Sequence, residues 1–303
     1  MSTNKALPFL LKPAFKDYIW GGSKLRDFYG KKTSMNPLAE SWECSTHPDG
    51  LTIVDSGEYL GQSLASVLEK NPSFMGSRAL AVAGGKLPIL IKLIDANRDL
   101  SVQVHPDDNY ALKNEHSMGK TEMWYVLEAE PGAEIVYGVK DVVSFEQFSK
   151  ALVDGSVMDC LNRVPVKKGD CFFIEAGTVH ALGKGIVVCE VQENSNVTYR
   201  LYDYNRGREL HVQKGLDVVR FDSSCGCGKS CKYFSMETAA VSGSVEMNVG
   251  PESFHALVCT DGNGKIVCGG TSVAFEKGST VFIPAGCGVL SVVGNCLLLD
   301  ISC

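Results

Sequence analysis

One short pattern occurs twice along this chain, and it limits the fold more than any other feature. Gly169-Asp-Cys-Phe-Phe-Ile-Glu-Ala-Gly177-Thr-Val-His180 is echoed by Gly278-Ser-Thr-Val-Phe-Ile-Pro-Ala-Gly286-Cys-Gly-Val289. Each copy reads as a tight glycine turn, a short apolar strand and a second turn ending in Ala-Gly. Two such copies imply two similar β domains in tandem. The first ends in His180 and the second in Val289, so only the first offers a metal ligand there. Leu87–Ile94, Met123–Leu127, Asp170–Ile174, Ile186–Val191, Ala256–Thr260 and Val281–Ile283 are short apolar or alternating runs between Gly, Pro, Asp and Asn. Their β-branched and aromatic content predicts strands of a sandwich or barrel. Helical signals are fewer. Ser63–Glu69 follows a cap, Asp107–Asn114 follows the Pro106 turn, and Ser144–Leu152 sets Phe145, Phe148 and Leu152 on one face.

A length of 303 residues suits one large domain or two ordinary ones, and 45% hydrophobic residues supply a packed core. Met1 to Lys12 lacks the pattern of a secretory signal, and no apolar run reaches bilayer-spanning length, so a cytoplasmic location is expected. A net charge of −6 excludes the basic footprint of a nucleic-acid binder. A phosphorylated ligand would need cations placed locally. The 12 cysteines are expected to be reduced thiols in such a compartment. Cys225, Cys227 and Cys231 cluster in a Gly-rich run, read as an interdomain loop, with a small metal or redox site as the alternative. The boundary is placed near Phe221–Lys232, dividing the chain into 1–221 and 222–303.

Strand periodicity brings a set of donors together. In Ser101-Val-Gln103-Val-His105-Pro106, residues two apart share a face, so Gln103 and His105 point the same way. Lys120 and Glu122 share a face of a following strand, and His180 closes the second turn of the first repeat. Two imidazoles, a carboxylate and an amide oxygen form a mixed N/O set suited to a catalytic divalent ion. Zinc is the expected ion, although manganese, iron or cobalt would accept the same donors. Any one of these histidines alone is more often structural. His105 could simply cap the turn at Pro106, His47 reads as a turn residue before Pro48, and His116, His211 and His255 have no ligand context.

Both repeats resemble the second motif of the cupin superfamily, Pro-x-Gly-x-x-His. The second copy keeps Pro284 and loses the His. The first keeps His180 but carries Glu175 at the Pro position, which is tolerable if Glu175 faces solvent or the site mouth. The resemblance implies an all-β dominated fold of two tandem cupin-type jelly-roll barrels with a few short helices. Residues 1–221 would form the metal-binding barrel with an N-terminal segment, and 222–303 a degenerate barrel without metal.

From about Pro13 to Phe221 the chain also resembles the type I mannose-6-phosphate isomerases, in their short bacterial form. The residues that carry this are Tyr18-Ile-Trp-Gly-Gly22, Ala39-Glu-Ser-Trp42, Thr46-His-Pro48, Leu87-Pro-Ile-Leu-Ile-Lys92-Leu93 and Leu100-Ser-Val-Gln-Val-His-Pro106. Lys120-Thr-Glu122, Gly177-Thr-Val-His-Ala181, Glu190 and Asn194-Ser-Asn-Val-Thr-Tyr-Arg200 follow. The resemblance implies one zinc per chain on Gln103, His105, Glu122 and His180, and an active-site Arg200. It also implies polar groups at Lys92, Ser101, Lys120 and Glu190, with Trp20 and Glu40 near the cavity. Two departures stand out. The extra helical domain of enterobacterial and eukaryotic relatives is absent, and Glu40 to Pro48 is one residue longer than the usual motif.

The implied reaction interconverts D-mannose 6-phosphate and D-fructose 6-phosphate through a cis-enediol. Lys120 is the candidate base, and Arg200 supplies charge, assists proton movement or clamps the phosphate. Lys92 and Ser101 are candidates to hold the phosphate, although a lysine after Ile-Leu-Ile could merely protect an edge strand. The expected partner is a small sugar phosphate, with no nucleic acid or membrane, for a monomer or weak homodimer. Competing readings are an iron cupin using oxygen, an isomerase for another phosphosugar, and a non-catalytic sugar-binding protein.

Overall fold

Short apolar runs bounded by glycine turns pair into three antiparallel sheets in the computed structural model, which describes residues 6–222 and 230–303. A six-stranded sheet runs in the order Cys171–Ile174, Glu122–Ala129, Ile186–Glu193, Ile89–Ala96, Glu40–Cys44 and Ala14–Lys16. A five-stranded sheet runs Tyr199–Tyr202, Val102–Val104, His180–Leu182, Glu134–Val139 and Leu161–Pro165. A seven-stranded sheet contains Ser235–Val249, Gly288–Ser302, His255–Cys268, Thr280–Ile283, Phe9–Lys12 and Ile53–Val54, with Thr271–Glu276 beside His255–Cys268. Among the described residues no sheet closes on itself. The expected mostly-β fold with short helices is present, built as layered antiparallel sheets.

The layers explain the sequence texture. The six-stranded sheet is covered on both faces, so Ile89–Ala96 and Ile186–Glu193 are buried at every position. A sheet buried on both faces reads as a continuous apolar run. On one side Ile91, Leu93, Met123 and Val191 pack against Phe9, Ala256, Phe282 and Ile301 of the seven-stranded sheet. On the other side Ile94, Trp124, Val126 and Val188 meet Ile135, Tyr137 and Leu182 of the five-stranded sheet. Helix Phe145–Asp154, closed by a Ser144–Gln147 capping box, covers the outer face of that last sheet through Phe148, Ala151 and Leu152. Helices Leu64–Lys70 and Asp108–Glu115 fall in the expected helical stretches and are capped by the side chains of Ser63 and Asp107. Helices Lys24–Asp27, Gly76–Val82 and Val212–Val218 carry too little apolar periodicity to have been seen in the sequence.

The sequence repeat is a repeat of backbone geometry. Gly169 and Gly278 both take positive φ, as do Gly177 and Gly286. In the first copy Thr178 N–H donates to Glu175 O at 3.0 Å and Asp170 N–H to Lys167 O at 3.1 Å. The matching pairs, Cys287 to Pro284 and Ser279 to Glu276, lie at 3.2 Å and 2.8 Å. Glu175 is exposed and pairs with Arg220 at 2.8 Å, as its place at a turn requires.

The seven-stranded sheet draws strands from both ends of the chain. Phe9–Lys12 pairs with Thr280–Ile283, and Ile53–Val54 pairs with Phe9–Lys12. Residues on both sides of position 221 therefore build this one sheet, while Ser235–Ser302 supplies its long strands. Cys225 and Cys227 lie outside the described residues; Cys231 is a partly buried free thiol. Among the described residues no helix is long and apolar enough to cross a membrane.

Candidate active site

The space between the six- and five-stranded sheets receives one row of side chains from each. In the five-stranded sheet, Arg200 pairs with Gln103, Gln103 with His180, and His180 with Tyr137. Cross-strand partners project from the same face, so this register aligns Arg200, Gln103 and His180 side by side. In the six-stranded sheet, Trp124 pairs with Glu190, Glu190 with Lys92, and Lys92 with Trp42. Glu122 lies two residues before Trp124, on the same face.

Turns bring in the remaining groups. His105 follows strand Val102–Val104 directly. The backbone then turns, and Lys120 N–H donates to Pro106 O at 3.0 Å. Gly119 permits this approach, because a Cβ there would sit 2.6 Å from the Asp107 backbone. Lys120 therefore precedes the strand, which begins at Glu122, instead of lying within it as expected. Its Nζ still reaches Glu122 Oε2 at 2.6 Å and His105 Nε2 at 2.9 Å.

His105, Glu122 and His180 are buried and place their donor atoms within 4.8 Å of one another. His180 Nδ1 binds Thr178 O at 2.8 Å and His105 Nδ1 binds Val197 O at 3.0 Å. A backbone carbonyl accepts only from N–H, so both rings carry their proton on Nδ1 and turn an Nε2 lone pair inward. His180 Nε2 lies 3.2 Å from Glu122 Oε1, an oxygen that is buried without a hydrogen-bond partner. The Gln103 amide reaches to 3.2 Å from His180 Nε2, and its oxygen would face that nitrogen after a flip of the amide. Three converging lone pairs with too few protons among them fit a cation. Burial and the Lys120 charge push His105 down to about 3, keeping it neutral. Burial works against the Glu122 charge, but Lys120, His180 and His105 hold its carboxyl well below the usual carboxylate range.

Above these donors lies a cavity of about 290 Å³, and Trp20, Glu40, Lys92, Ser101, Gln103, Lys120, Glu190 and Arg200 all line it. Lys92 is not an edge-strand charge. It is buried on an interior strand, 3.1 Å from Glu190 and 5.1 Å from the centre of the Trp42 ring. Burial opposes its charge, yet Glu190 and Glu40 more than offset this and hold its ammonium above the ordinary lysine range. Trp124 Nε1 donates to Glu190 at 2.9 Å, and Trp42 Nε1 to Glu40 at 2.6 Å. The extra residue after Glu40 is absorbed by a shift of register between Trp42 and Cys44. Glu43, the residue so displaced, accepts from Thr280 in the seven-stranded sheet, while Glu40 still lines the cavity.

Arg200 Nε donates to Ser101 Oγ at 3.3 Å and Nη1 to Glu209 O at 2.9 Å. Trp124, Asn196, Thr198 and Arg208 also line the cavity and were not singled out from sequence. Trp124 was accessible to the two-residue rule that relates Lys120 to Glu122. Arg208 lies on an irregular segment, where no periodicity points to a face. His47 Nδ1 accepts from Asp49 N–H at 3.2 Å, the turn role expected of it.

Comparison with known proteins agrees with this geometry. Residues 9–150 match the family model "Phosphomannose isomerase type I, catalytic domain", and 228–302 match "Mannose-6-phosphate isomerase, cupin domain". The chain is 35% identical to a mannose-6-phosphate isomerase of Bacillus subtilis (strain 168), over 95% of this chain and 96% of the relative. It is 34% identical to a mannose-6-phosphate isomerase of Streptococcus mutans, over 92% and 93%. A crystal structure of the mannose 6-phosphate isomerase from Bacillus subtilis superposes with a TM-score of 0.90 at 33% identity, covering 98% of this chain and 99% of that one.

Proposed function

The chain belongs to the type I phosphomannose isomerase family, and from that membership we propose that it interconverts D-mannose 6-phosphate and D-fructose 6-phosphate, with zinc, in the cavity between its two facing sheets. The observation that carries this reading is the convergence of His105 Nε2, His180 Nε2 and the unpartnered Glu122 Oε1 beneath a cavity lined by Lys120, Glu190 and Arg200. Gln103, His105, Glu122 and His180 would hold one zinc, since two neutral imidazoles, a carboxylate and an amide suit that ion with positions left for substrate. When bound, zinc would supply Lewis-acid polarisation of the sugar oxygens.

The remaining work falls to the chain's own side chains. Isomerisation removes a proton from C2 of the open-chain aldose and returns one to C1, through a cis-enediol. Lys120 is the proposed base, because its Nζ sits at the cavity floor within 2.9 Å of His105 Nε2. Arg200 would place a fixed positive charge where negative charge develops on oxygen. It donates here only to neutral oxygens, so its charge is available. Lys92 is already compensated by Glu190 and Glu40, so with Glu190 it is assigned to sugar hydroxyls. Trp20 and Glu40 would form the wall that shapes the sugar, and Ser101, bonded to Arg200, would lie toward the phosphate. With no membrane-crossing helix described and a metabolite as substrate, the cytoplasm is the proposed setting.

The test is a coupled assay following fructose 6-phosphate formed from mannose 6-phosphate, before and after metal is stripped by a chelator. Activity should vanish with the metal and return with added zinc. A metal-loaded sample that turns over other sugar phosphates but not this one would reassign the substrate.

A further inference from the structure

We infer that Tyr233, from the C-terminal part of the chain, is a positioning residue for turnover: through Asp108 it holds the backbone of the segment that carries Lys120. This rests on the isomerase reading above, in which Lys120 is the base, and deepens it.

The Lys120 side chain touches Glu122 Oε2 at 2.6 Å and His105 Nε2 at 2.9 Å. Both belong to proposed zinc ligands, whose lone pairs the ion would claim. What then fixes the amine is the backbone behind it. Residues 118–121 lie outside helix and strand, yet each has a backbone group engaged. Met118 O accepts from Ser195 Oγ at 2.9 Å, and Gly119 N–H donates to Asp108 Oδ1 at 3.0 Å. Lys120 N–H donates to Pro106 O at 3.0 Å, and Thr121 N–H to Glu193 Oε1 at 2.7 Å. A loop held at every residue cannot shift the root of its side chain without breaking one of these bonds.

Asp108 ties this loop to the far end of the chain. Its Oδ2 accepts from the Tyr233 hydroxyl, and from Lys232 Nζ at 3.1 Å. Lys232 is exposed, and a surface pair of that kind contributes little. Tyr233 is buried, its ring packed in the core shared by the six- and seven-stranded sheets, with Met118 against the same cluster. Cys303 Sγ donates to Tyr233 O at 2.6 Å, which anchors the backbone of the tyrosine as well. Burial and the Asp108 bond hold the phenol above the ordinary tyrosine range, so it stays a donor. Burial works against the Asp108 charge, yet the Tyr233 hydroxyl and the Gly119 amide outweigh it and hold the carboxyl below the ordinary range. A fixed donor on Oδ2 orients the carboxylate and leaves Oδ1 aimed at Gly119. Gly119 is pressed onto this segment, since a Cβ there would lie 2.6 Å from Asp108 N. Rotation of the carboxylate is therefore felt one residue before Lys120. Lys92, Glu190 and Arg200, assigned to substrate, stand on three separate strands. A displaced base should thus cost turnover and spare affinity.

The experiment uses the zinc-loaded full chain. Tyr233→Phe removes one hydroxyl and keeps the buried ring. Its kcat on mannose 6-phosphate should fall roughly tenfold, with KM changed less than about twofold and zinc content equal to wild type. Asp108→Ala should show the same split, and Asp108→Asn, which keeps an acceptor for Gly119, should recover part of kcat. In the Asp108→Ala background, Tyr233→Phe should lower kcat by less than about twofold more, because the hydroxyl acts through that carboxylate. A phenol that only supports packing would multiply the two losses. That outcome overturns the inference, as does a Tyr233→Phe kcat within about twofold of wild type. Amide hydrogen exchange of the peptide spanning 117–123, read by mass spectrometry, gives a readout independent of turnover. Its exchange should quicken by roughly tenfold in Tyr233→Phe, and unchanged exchange defeats the inference whatever the kinetics. A wild type that turns over no mannose 6-phosphate, with exchange still quickened by Tyr233→Phe, defeats the isomerase reading and keeps the hold of Tyr233 on the loop.

Discussion

Single residues at this site act through what holds them as much as through what they touch. Glu193 illustrates this. It is buried, its Oε1 accepts from Thr121 N–H at 2.7 Å, and its own N–H donates to Thr121 O at 3.0 Å. Thr121 lies between Lys120 and Glu122, so Glu193 braces the segment that carries the proposed base and a proposed ligand. Burial pushes the Glu193 carboxyl up to about 7, the Thr121 bond opposing and the Asp108 charge adding. Asp108 is in turn engaged by Tyr233 and Lys232 and held below the ordinary range, outside this window. Because the folded protein binds the Glu193 proton more tightly than the unfolded chain, the stability it contributes is complete below about pH 4.5 and lost as pH rises through 7. Glu193→Gln keeps an acceptor for Thr121 and cannot ionise. Its stability relative to wild type should therefore improve between pH 5 and pH 8 by on the order of 3 kcal/mol. Urea midpoints at the two pH values measure this; an identical difference at both would refute it.

At the scale of elements, the two copies of the glycine repeat differ in what surrounds them. Gly177 N–H donates to His105 O at 2.8 Å, and the next residue, Thr178, accepts from His180 Nδ1. Its φ is +89°, and a Cβ there would lie 2.8 Å from Val218 O and 2.7 Å from Arg220 Cγ. Gly286, the matching residue, has φ of +76° and nothing within 4 Å of such a Cβ. Gly177→Ala should cost roughly 2–3 kcal/mol and reduce bound zinc, since it displaces the turn joining two proposed ligands, His105 and His180. Gly286→Ala should cost about 1 kcal/mol, the backbone term alone, and leave zinc content unchanged. Thermal melts with metal analysis of both variants decide the matter, and equal zinc loss in the two would sink the argument.

Across the whole molecule, the seven-stranded sheet is pinned to the catalytic layers by a buried ion pair. Lys31 Nζ lies 2.5 Å from Glu43 Oε1, and Glu43 Oε2 accepts from Thr280 at 2.9 Å. Lys31 also donates to Gly278 O at 2.5 Å, within the second copy of the repeat. Both side chains are at most 5% exposed. Glu43→Gln strands the Lys31 charge in the interior and should destabilise by about 3–5 kcal/mol, whereas Lys31→Met/Glu43→Leu should be far milder. Denaturant unfolding of both variants checks this, and a double variant as unstable as the single one would assign the loss to packing instead. Because Phe9–Lys12 completes the seven-stranded sheet, residues 1–221 and 222–303, kept here as a proposed division, share that sheet and its apolar contact with the six-stranded sheet.

Periodicity and turn chemistry were legible in the chain by itself. Alternation put Gln103 with His105 on one face, glycine spacing exposed the repeat, and apolar spacing and the Pro106 turn located three helices. These are local properties, set by backbone sterics and by hydrogen bonds between near neighbours. Long-range pairing was not legible, because it is chosen by burial summed over residues distant in sequence. Only the tertiary structure brought Arg208 to the cavity that holds Arg200, decided that Lys92 is a buried charge on an interior strand and not an edge-strand one, and joined the first strand to the last sheet. An irregular segment carries no period from which a face can be read, so where its side chains point is decided by the contacts that bury it.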